Sequence, residues 1–250
     1  MRRLFTPRWL LSHLFVLAMI VLMVNLGFWQ LRRLDQRQAA NAEIVAAREQ
    51  PSVDLAGLSD TGPLPADHTA ASATGVYRRD QELLIANRSL EGSAGSWLVT
   101  PLQLADQRIV AVVRGWVPRV VVAGVDTRPT AAPAGEVTVG GLAFDSVGGG
   151  RIGVVDPGEL PQLSRMDLER YEEVTGLDVI DRWLELRVQV PAQPGELPVP
   201  LPPPPLDDGP HLSYAFQWFF FSAGTAVFYW IILRRTLRSV GAPKPPDLLS

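Results

Sequence analysis

The chain has 250 residues, a formal net charge of −3 and an isoelectric point of about 5.7, so it lacks the excess positive charge typical of nucleic-acid binding. It contains no cysteine, which excludes disulfides, thiolate catalysis, zinc-finger spacings and thiol-mediated transfer of copper. The hydrophobic fraction of 47% is ordinary for a globular protein, so any membrane character lies in how the apolar residues are arranged.

Two uncharged apolar runs, Leu10–Trp29 and Leu212–Leu233, lie near the two ends of the chain. Each is long enough to cross a bilayer core of about 30 Å as a helix that rises about 1.5 Å per residue. The first run is too long for a typical signal peptide, and the bulky residues after Gly27 offer no cleavage site. The sequence therefore predicts an integral membrane protein, with two transmembrane helices flanking a mainly-β α+β extracytoplasmic domain.

The predicted boundaries follow from these two runs and from the composition between them. They are a cytoplasmic N-terminus at 1–9, a transmembrane helix at 10–31, the extracytoplasmic α+β domain at 32–190, a proline-rich linker at 191–210, a second transmembrane helix at 211–233 and a cytoplasmic tail at 234–250. This organisation predicts a multi-pass protein of the cell (plasma) membrane, with the lipid bilayer as a partner.

The orientation rests on the positive-inside rule. Asp207 and Asp208 precede the second apolar run, whereas four basic residues follow it: Arg234, Arg235, Arg238 and Lys244. Arg2, Arg3 and Arg8 suit a cytoplasmic N-terminus, although Arg32, Arg33 and Arg37 favour the opposite orientation for the first helix alone. Because the bias around the second helix is clear, both termini are predicted to be cytoplasmic.

Short strands are predicted where aliphatic and β-branched residues lie between turn residues. A helical pattern continues from Gln30 to about Gln50 before the first of them. The predicted strands are Thr74–Tyr77, Glu82–Ala86, Trp97–Leu104, Ile109–Val113 and Glu136–Phe144. Asp106–Gln107 predicts a hairpin, and Gly140–Gly141 a bulge. Gly115, between an arginine and a tryptophan, indicates a turn or a close approach of two backbones.

The last part of this domain predicts one helix, one strand and a spacer. Ser164–Asp167 is typical of a capping box that starts a short helix, and Gly176 is a stop signal. Arg182–Val190 alternates apolar and polar residues, which predicts a strand with one buried face and one wet face. The prolines of 191–210 predict an extended, stiff spacer before the second helix.

The sequence offers no catalytic constellation. His68 lies in a loop beside Asp67, and His13 lies inside the first apolar run. Neither forms a pair at metal-ligand spacing, and no serine has the surroundings of a nucleophile. The protein is therefore predicted not to be an enzyme.

The second apolar run instead carries a stripe on one helical face, made by His211, Tyr214, Trp218, Phe221, Ser222 and Thr225. Aromatic side chains with an imidazole at one end suit a flat apolar cofactor such as haem, with the imidazole as axial ligand. Aromatic belts at membrane interfaces give the same pattern. His13, about 25 Å away along the membrane normal at about 1.5 Å per residue, is instead predicted to be a polar packing residue that faces the other helix.

Five short motifs resemble those of a known family. They are Leu26–Leu34 (LGFWQLRRL), Gly75–Tyr77 (GVY), Asn87–Gly92 (NRSLEG), Val113–Pro118 (VRGWVP) and His211–Trp218 (HLSYAFQW). Their order between two apolar helices resembles the surfeit locus protein 1 (Surf/Shy) family of cytochrome c oxidase assembly factors, in particular its actinobacterial members. Two positions depart from the family pattern: Val113 replaces a common asparagine, and Arg37 is the nearest basic residue where a lysine is common.

The resemblance implies a chaperone-like assembly factor of the respiratory chain. It would bind haem a transiently, aid its insertion into the catalytic subunit of an aa3-type haem–copper oxidase, and contact that subunit; contact with the haem a synthesis machinery is left open. The family's haem ligand falls on His211, with Tyr214 and Trp218 beside it. Arg88 and Arg114 could pair with haem propionates, or form ordinary structural ion pairs.

Two other classes of function remain open from the residues alone. A membrane-anchored extracytoplasmic sensor or binding protein unrelated to haem would share the predicted layout, but the predicted cytoplasmic ends are short for an output domain. An enzyme of the cell envelope would also share it, but it would need catalytic groups that the sequence does not offer.

Overall fold

The computed structural model describes residues 6–58, 63–123, 130–152 and 160–239. The chain divides into two compact units: a helical unit, Met1–Ala42 with Leu206–Ser250, and a β unit, Glu43–Pro205. The helices of the described residues are α1 (Pro7–Arg48), α2 (Arg119–Val122), α3 (Leu168–Thr175) and α4 (His211–Ser239). The predicted cytoplasmic ends lie partly outside the described residues, as do Arg2, Arg3 and Lys244.

The helical unit is an antiparallel pair. The hydroxyl of Tyr229 lies 2.7 Å from Nδ1 of His13, whereas His211 at the start of α4 meets Gln30, which lies further along α1. His13 thus packs against the other helix, as predicted. Both helices are long and apolar enough to cross a membrane, which is consistent with membrane anchoring.

Small residues let the two helices approach closely. Ala215 and Ser222 of α4 are buried, and a Cβ atom on Gly27 of α1 would lie only 2.5 Å from the ring of Phe219. Phe28 adds an edge-to-face contact with the same ring at 5.4 Å between centroids. Large apolar side chains such as Phe15 and Phe216 point away from the pair and stay exposed, as expected for helices whose outer surface meets lipid.

The β unit contains one mixed sheet. Its strands are β1 (Val53–Asp54), β2 (Thr69–Tyr77), β3 (Leu83–Leu90), β4 (Ser93–Leu104), β5 (Ile109–Pro118), β6 (Glu136–Phe144), β7 (Gln162–Leu163) and β8 (Val179–Val190). The strand order is β1-β2-β6-β8-β5-β4-β3-β7, and β2 also pairs with β4. This extra pairing closes β2, β6, β8, β5 and β4 into a barrel.

Two apolar clusters cover the two sides of the barrel wall. One cluster fills the inside, and its members include Leu102, Val112, Val139 and Leu184. The other packs on the outside against α3 and includes Ile85, Val113, Trp116, Tyr171 and Trp183. Because β5 contributes to both clusters, Ile109–Val117 is buried on both faces.

The local predictions for strands and turns are largely confirmed. Each predicted strand lies within or overlaps an observed strand, and the bounds of β6 match the prediction. β4 and β5 form the hairpin predicted at Asp106–Gln107. A register shift occurs at Gly140–Gly141, as predicted, although the extra residue is Arg187 on the partner strand β8.

Two local predictions are wrong. The capping residue of α3 is Asp167, whose side chain accepts from the backbone N–H of Arg170, not Ser164; the predicted stop at Gly176 is confirmed by its left-handed backbone. In β8, Trp183–Leu186 is buried on both faces, whereas Val188 and Val190 are 61% and 67% exposed. The bulge at Arg187 reverses the alternation, so one apolar face does not stay buried along the strand.

The proline-rich segment is extended but is not a free spacer. Val199 forms two backbone hydrogen bonds of 2.8 Å with Trp116 of β5, and Leu197 and Leu201 are buried. Gly115 makes this approach feasible, because a Cβ there would lie 2.3 Å from the carbonyl oxygen of Val199. The close backbone approach predicted at Gly115 is thus confirmed, whereas the prediction of a spacer is wrong for the residues up to Pro205.

Candidate functional site

His211 is the first residue of α4, and its imidazole is held by α1. Nδ1 lies 2.9 Å from Oε1 of Gln30. An amide oxygen only accepts, so Nδ1 must carry the hydrogen. In the neutral ring this leaves a lone pair on Nε2, which has no hydrogen-bond partner within the described ranges. A metal-ligating histidine is commonly oriented in this way by an acceptor on its other nitrogen.

The turn that leads into His211 is also attached to α1. The carbonyl oxygen of Asp207 accepts from Nε of Arg37 and from Nδ2 of Asn41, both at 3.1 Å. The Asp207 carboxylate in turn accepts from the backbone N–H of Gly209, whose φ of 67° favours glycine. These contacts fix the position at which α4 begins, and hence the position of the imidazole.

The aromatic side chains of the α4 stripe differ in their exposure. Trp218 is partly buried and makes a T-shaped contact with Phe221 at 6.3 Å between centroids, whereas Tyr214 and Phe221 are 47% and 45% exposed. His211, Tyr214 and Trp218 therefore follow one another along α4, with apolar ring surface left open beside the imidazole. That arrangement fits a flat apolar ligand with a metal at its centre.

Arg114 belongs to the β unit and has internal partners. Its guanidinium donates to the Glu82 carboxylate at 3.2 Å, to the carbonyls of Thr130 and Ala131, and to Oε1 of Gln193. The side chain has no exposed surface. Burial lowers the pKa of Arg114 and raises that of Glu82, and in each case the partner's charge opposes the shift. Arg114 thus ties β5 to a loop and to the proline-rich segment.

Arg88 also lies in the β unit, but in a more open setting. Its guanidinium lies 4.5 Å from the ring centroid of Trp97 and donates to the carbonyl of Ser164 at 3.4 Å. The five residues singled out from the sequence therefore fall in two different units. His211, Tyr214 and Trp218 belong to the helical unit, and Arg88 and Arg114 belong to the β unit.

Gln30 is the residue of the candidate site that sequence reasoning missed. It lies inside the Leu26–Leu34 motif, and this motif was the sequence signal that could have identified it. Its contact partner, His211, lies 181 positions further along the chain. Among the residues that the structure describes, no group of three or more His, Asp or Glu side chains is arranged to hold a metal ion.

The SURF1 family profile matches residues 17–223, most of the chain. The chain belongs to the SURF1 family. An uncharacterized SURF1-like protein of Mycobacterium bovis is 30% identical over 96% of this chain and 90% of its own length. SURF1-like proteins of Rickettsia are also similar: that of Rickettsia bellii is 26% identical over 89% of this chain and 91% of its own length.

The relative from Rickettsia felis is 31% identical over a shorter stretch, 42% of this chain and 46% of its own length. The match to mycobacterial relatives confirms the actinobacterial type inferred from the motifs. The SURF1 family is known for cytochrome c oxidase assembly, and it is a family of assembly factors rather than of catalytic enzymes.

Proposed function

We propose that this protein is an assembly factor for an aa3-type cytochrome c oxidase, and that it holds haem a and aids its insertion into the catalytic subunit. Membership of the SURF1 family supports the role in oxidase assembly. The observation that carries the haem a part is the hydrogen bond from Nδ1 of His211 to Gln30, because it leaves Nε2 as the nitrogen that can bind iron.

In this proposal haem a is a cargo, and the residues of the site suit transient binding of it. A single imidazole gives one protein ligand, and the exposed rings of Tyr214 and Phe221 offer apolar contact on one side only. A site of this kind can release its ligand to the oxidase, since little of the ligand is enclosed. The catalytic subunit is the proposed partner, and the haem a synthesis machinery is the proposed source.

The proposal includes a membrane location with two crossings. α1 and α4 would cross the plasma membrane, the β unit would lie outside the cytoplasm, and both termini would lie inside it. The antiparallel contacts of the helix pair support two crossings, because His13 meets Tyr229 at one end and Gln30 meets His211 at the other. The haem a site would then lie where α4 begins, on the outer side.

A deletion strain complemented with single variants tests this function. Without the protein, aa3 absorbance and oxidase-dependent oxygen consumption should fall while haem a is still made. The wild-type gene should restore both, and His211→Ala should not, because alanine has no ligand nitrogen. His13→Ala is the matched control, since His13 pairs with Tyr229 at the far end of the helices.

Purified protein from a host that makes haem a gives the second readout. The wild type should show haem a absorbance, and His211→Ala should lose it or shift it strongly while accumulating normally. If the deletion strain keeps normal aa3 spectra and oxygen consumption, and has no second copy of the gene, the assembly role is wrong. If His211→Ala keeps a wild-type haem spectrum and stoichiometry, the ligand lies elsewhere.

A further inference from the structure

A cavity of about 450 Å³ lies within the β unit, and its lining does not include His211, Tyr214 or Trp218. Its wall includes Trp97 of β4, Phe144 at the end of β6 and Trp183 of β8, and Leu201 and Pro202 of the proline-rich segment form part of its edge. Its volume lies within the range of about 300–1,000 Å³ that is typical of small-molecule sites. An apolar cavity of this size with a few polar groups is the usual form of a binding site.

The aromatic wall of the cavity has a fixed geometry. Phe144 and Trp183 are stacked, with their centroids 4.6 Å apart and an angle of 18° between the rings. The His68 imidazole and the Phe144 ring make a T-shaped contact, with 4.7 Å between their centroids. Trp183 is held in place because its Nε1 donates to the carbonyl of Asp145 at 2.8 Å. A rigid surface of stacked rings favours a flat ligand.

Two arginines line the same cavity, and neither has a carboxylate partner among the residues that the structure describes. Arg88 rests on Trp97, and its Nε is buried with no hydrogen-bond partner. Arg165 is exposed and donates to the carbonyl of Gly148 at 3.3 Å. Burial, and then the like charge of Arg165, lowers the pKa of Arg88. Two neighbouring cations that lack an anion indicate that the ligand supplies the negative charge.

The other ionisable groups of the wall do not neutralise these cations. Glu185 is paired with Arg187. His68 has a buried Nδ1 without a partner, and burial followed by the charge of Arg48 lowers its pKa, which favours the neutral ring. Among the described residues, Arg88 and His68 thus each line the cavity and each carry a buried side-chain nitrogen without a hydrogen-bond partner, whereas buried polar groups are normally hydrogen-bonded.

We propose that this cavity binds a flat, apolar ring system that carries carboxylate groups. The ring lies against Phe144 and Trp183, and the carboxylates pair with Arg88 and Arg165. The His68 side chain lines the same space and provides a further polar contact. This inference goes beyond the proposed function, because it concerns a second site whose residues do not include His211.

Full-length protein in phosphatidylcholine nanodiscs, titrated with protoporphyrin IX, tests the proposal. This porphyrin is flat and has two carboxylates, and without iron it cannot be ligated by an imidazole. The wild type should bind it saturably with one-to-one stoichiometry above the level in empty nanodiscs. Arg88→Gln and Arg165→Gln should each weaken binding about tenfold or more, since each removes a charge-assisted pair. Val147→Trp should also weaken it, because this half-exposed residue lines the cavity.

Arg170→Gln is the matched control and should bind as the wild type does, because Arg170 is paired with Glu173 on α3 and does not line the cavity. Two competitors define the ligand class. The dimethyl ester of the porphyrin lacks the charges, and palmitate lacks the ring, so both should compete at least about tenfold more weakly.

Wild-type affinity in Arg88→Gln, Arg165→Gln and Val147→Trp would overturn the site. Equal competition by the ester would overturn the role of the arginines, and equal competition by palmitate would identify a fatty-acid site instead. Loss of binding in His211→Ala with retention in Arg88→Gln would locate the porphyrin at the helix pair and overturn the proposal. Because no iron is used, the absence of haem a binding at His211 leaves this test unaffected.

Discussion

Arg88 of β3 and Arg114 of β5 are the same residue type in strands that both pair with β4, yet their surroundings give them different chemistry. Arg114 is the extra residue of a bulge in β5, because Leu98 pairs with Gly115 and Val99 pairs with Val113. The bulge turns its side chain into the protein, where Glu82 and four other acceptors bind it. Its guanidinium therefore serves the fold, whereas that of Arg88 faces a cavity.

Arg114→Ala should strongly destabilise the β unit. The substitution leaves the Glu82 carboxylate, which is only 12% exposed, without its cationic partner. Removing one member of a buried ion pair costs about 3–5 kcal/mol in the free energy of unfolding. Chemical unfolding of the purified protein measures this. The control is Arg170→Ala, in which an exposed ion pair is lost and little change is expected; similar effects of the two variants would contradict the structural role of Arg114.

For individual residues, the sequence identified candidates for the site but did not predict the contacts that these residues make. His211 was recognisable as an imidazole at the start of an apolar helix, and the motif around it pointed to haem. Its orientation by Gln30 was not predictable, because nothing local joins residues 181 positions apart. The burial of Arg114 was also not predictable. It results from a bulge, and the position of a bulge depends on the register of the partner strand.

Among the elements, the proline-rich segment differs most from its sequence pattern. Its prolines predicted an extended chain, and the chain is extended, but Leu197 and Leu201 bury their side chains in the β unit. Val199 adds an isolated antiparallel bridge to Trp116. Prolines fix the local conformation of a segment, whereas the few apolar residues between them decide whether it packs.

Gly115→Ala should detach this segment from β5. Gly115 has a φ of +147°, and an added Cβ would lie 2.3 Å from the carbonyl oxygen of Val199. We expect a loss of about 1–3 kcal/mol in the free energy of unfolding from backbone strain alone, and faster limited proteolysis within residues 191–205. Gly57→Ala is the matched control, because a Cβ there meets nothing within 4 Å. Unchanged proteolysis of the Gly115 variant would show that the bridge does not hold the segment.

The local strands were predictable because turn residues separate short apolar runs, and the β4–β5 hairpin followed from Asp106–Gln107. Closure of the barrel was not predictable, because the β2–β4 pairing joins strands that are not adjacent in the chain. The alternation in β8 misled because the register shifts at Arg187 and because the strand is buried on both faces before that point. A strand inside a closed sheet, covered on both sides, is not restricted to one buried face.

At the scale of the whole molecule, the antiparallel pair of α1 and α4 determines which parts of the chain lie at the same end of the pair. Tyr229 of α4 meets Ser12 and His13 near the start of α1, and His211 meets Gln30. The start of α1 and the end of α4 therefore lie at the same end of the pair. If this pair crosses a bilayer, both termini lie on one side, which agrees with the basic residues found at each end of the sequence.

Reporter fusions at position 120 and at the C-terminus test the orientation of the chain. Arg234, Arg235 and Arg238 follow the apolar part of α4, and Asp207 and Asp208 precede it, so the positive-inside rule assigns the C-terminus to the cytoplasm. Arg37 opposes this bias, but it lies on the same side as the two aspartates and donates to the Asp207 carbonyl. A reporter active only outside the cytoplasm should therefore work at position 120 and be silent at the C-terminus, and a cytoplasmic reporter should show the reverse. A cytoplasm-active signal from position 120 would place the β unit inside the cell and invalidate the proposed outer location of His211.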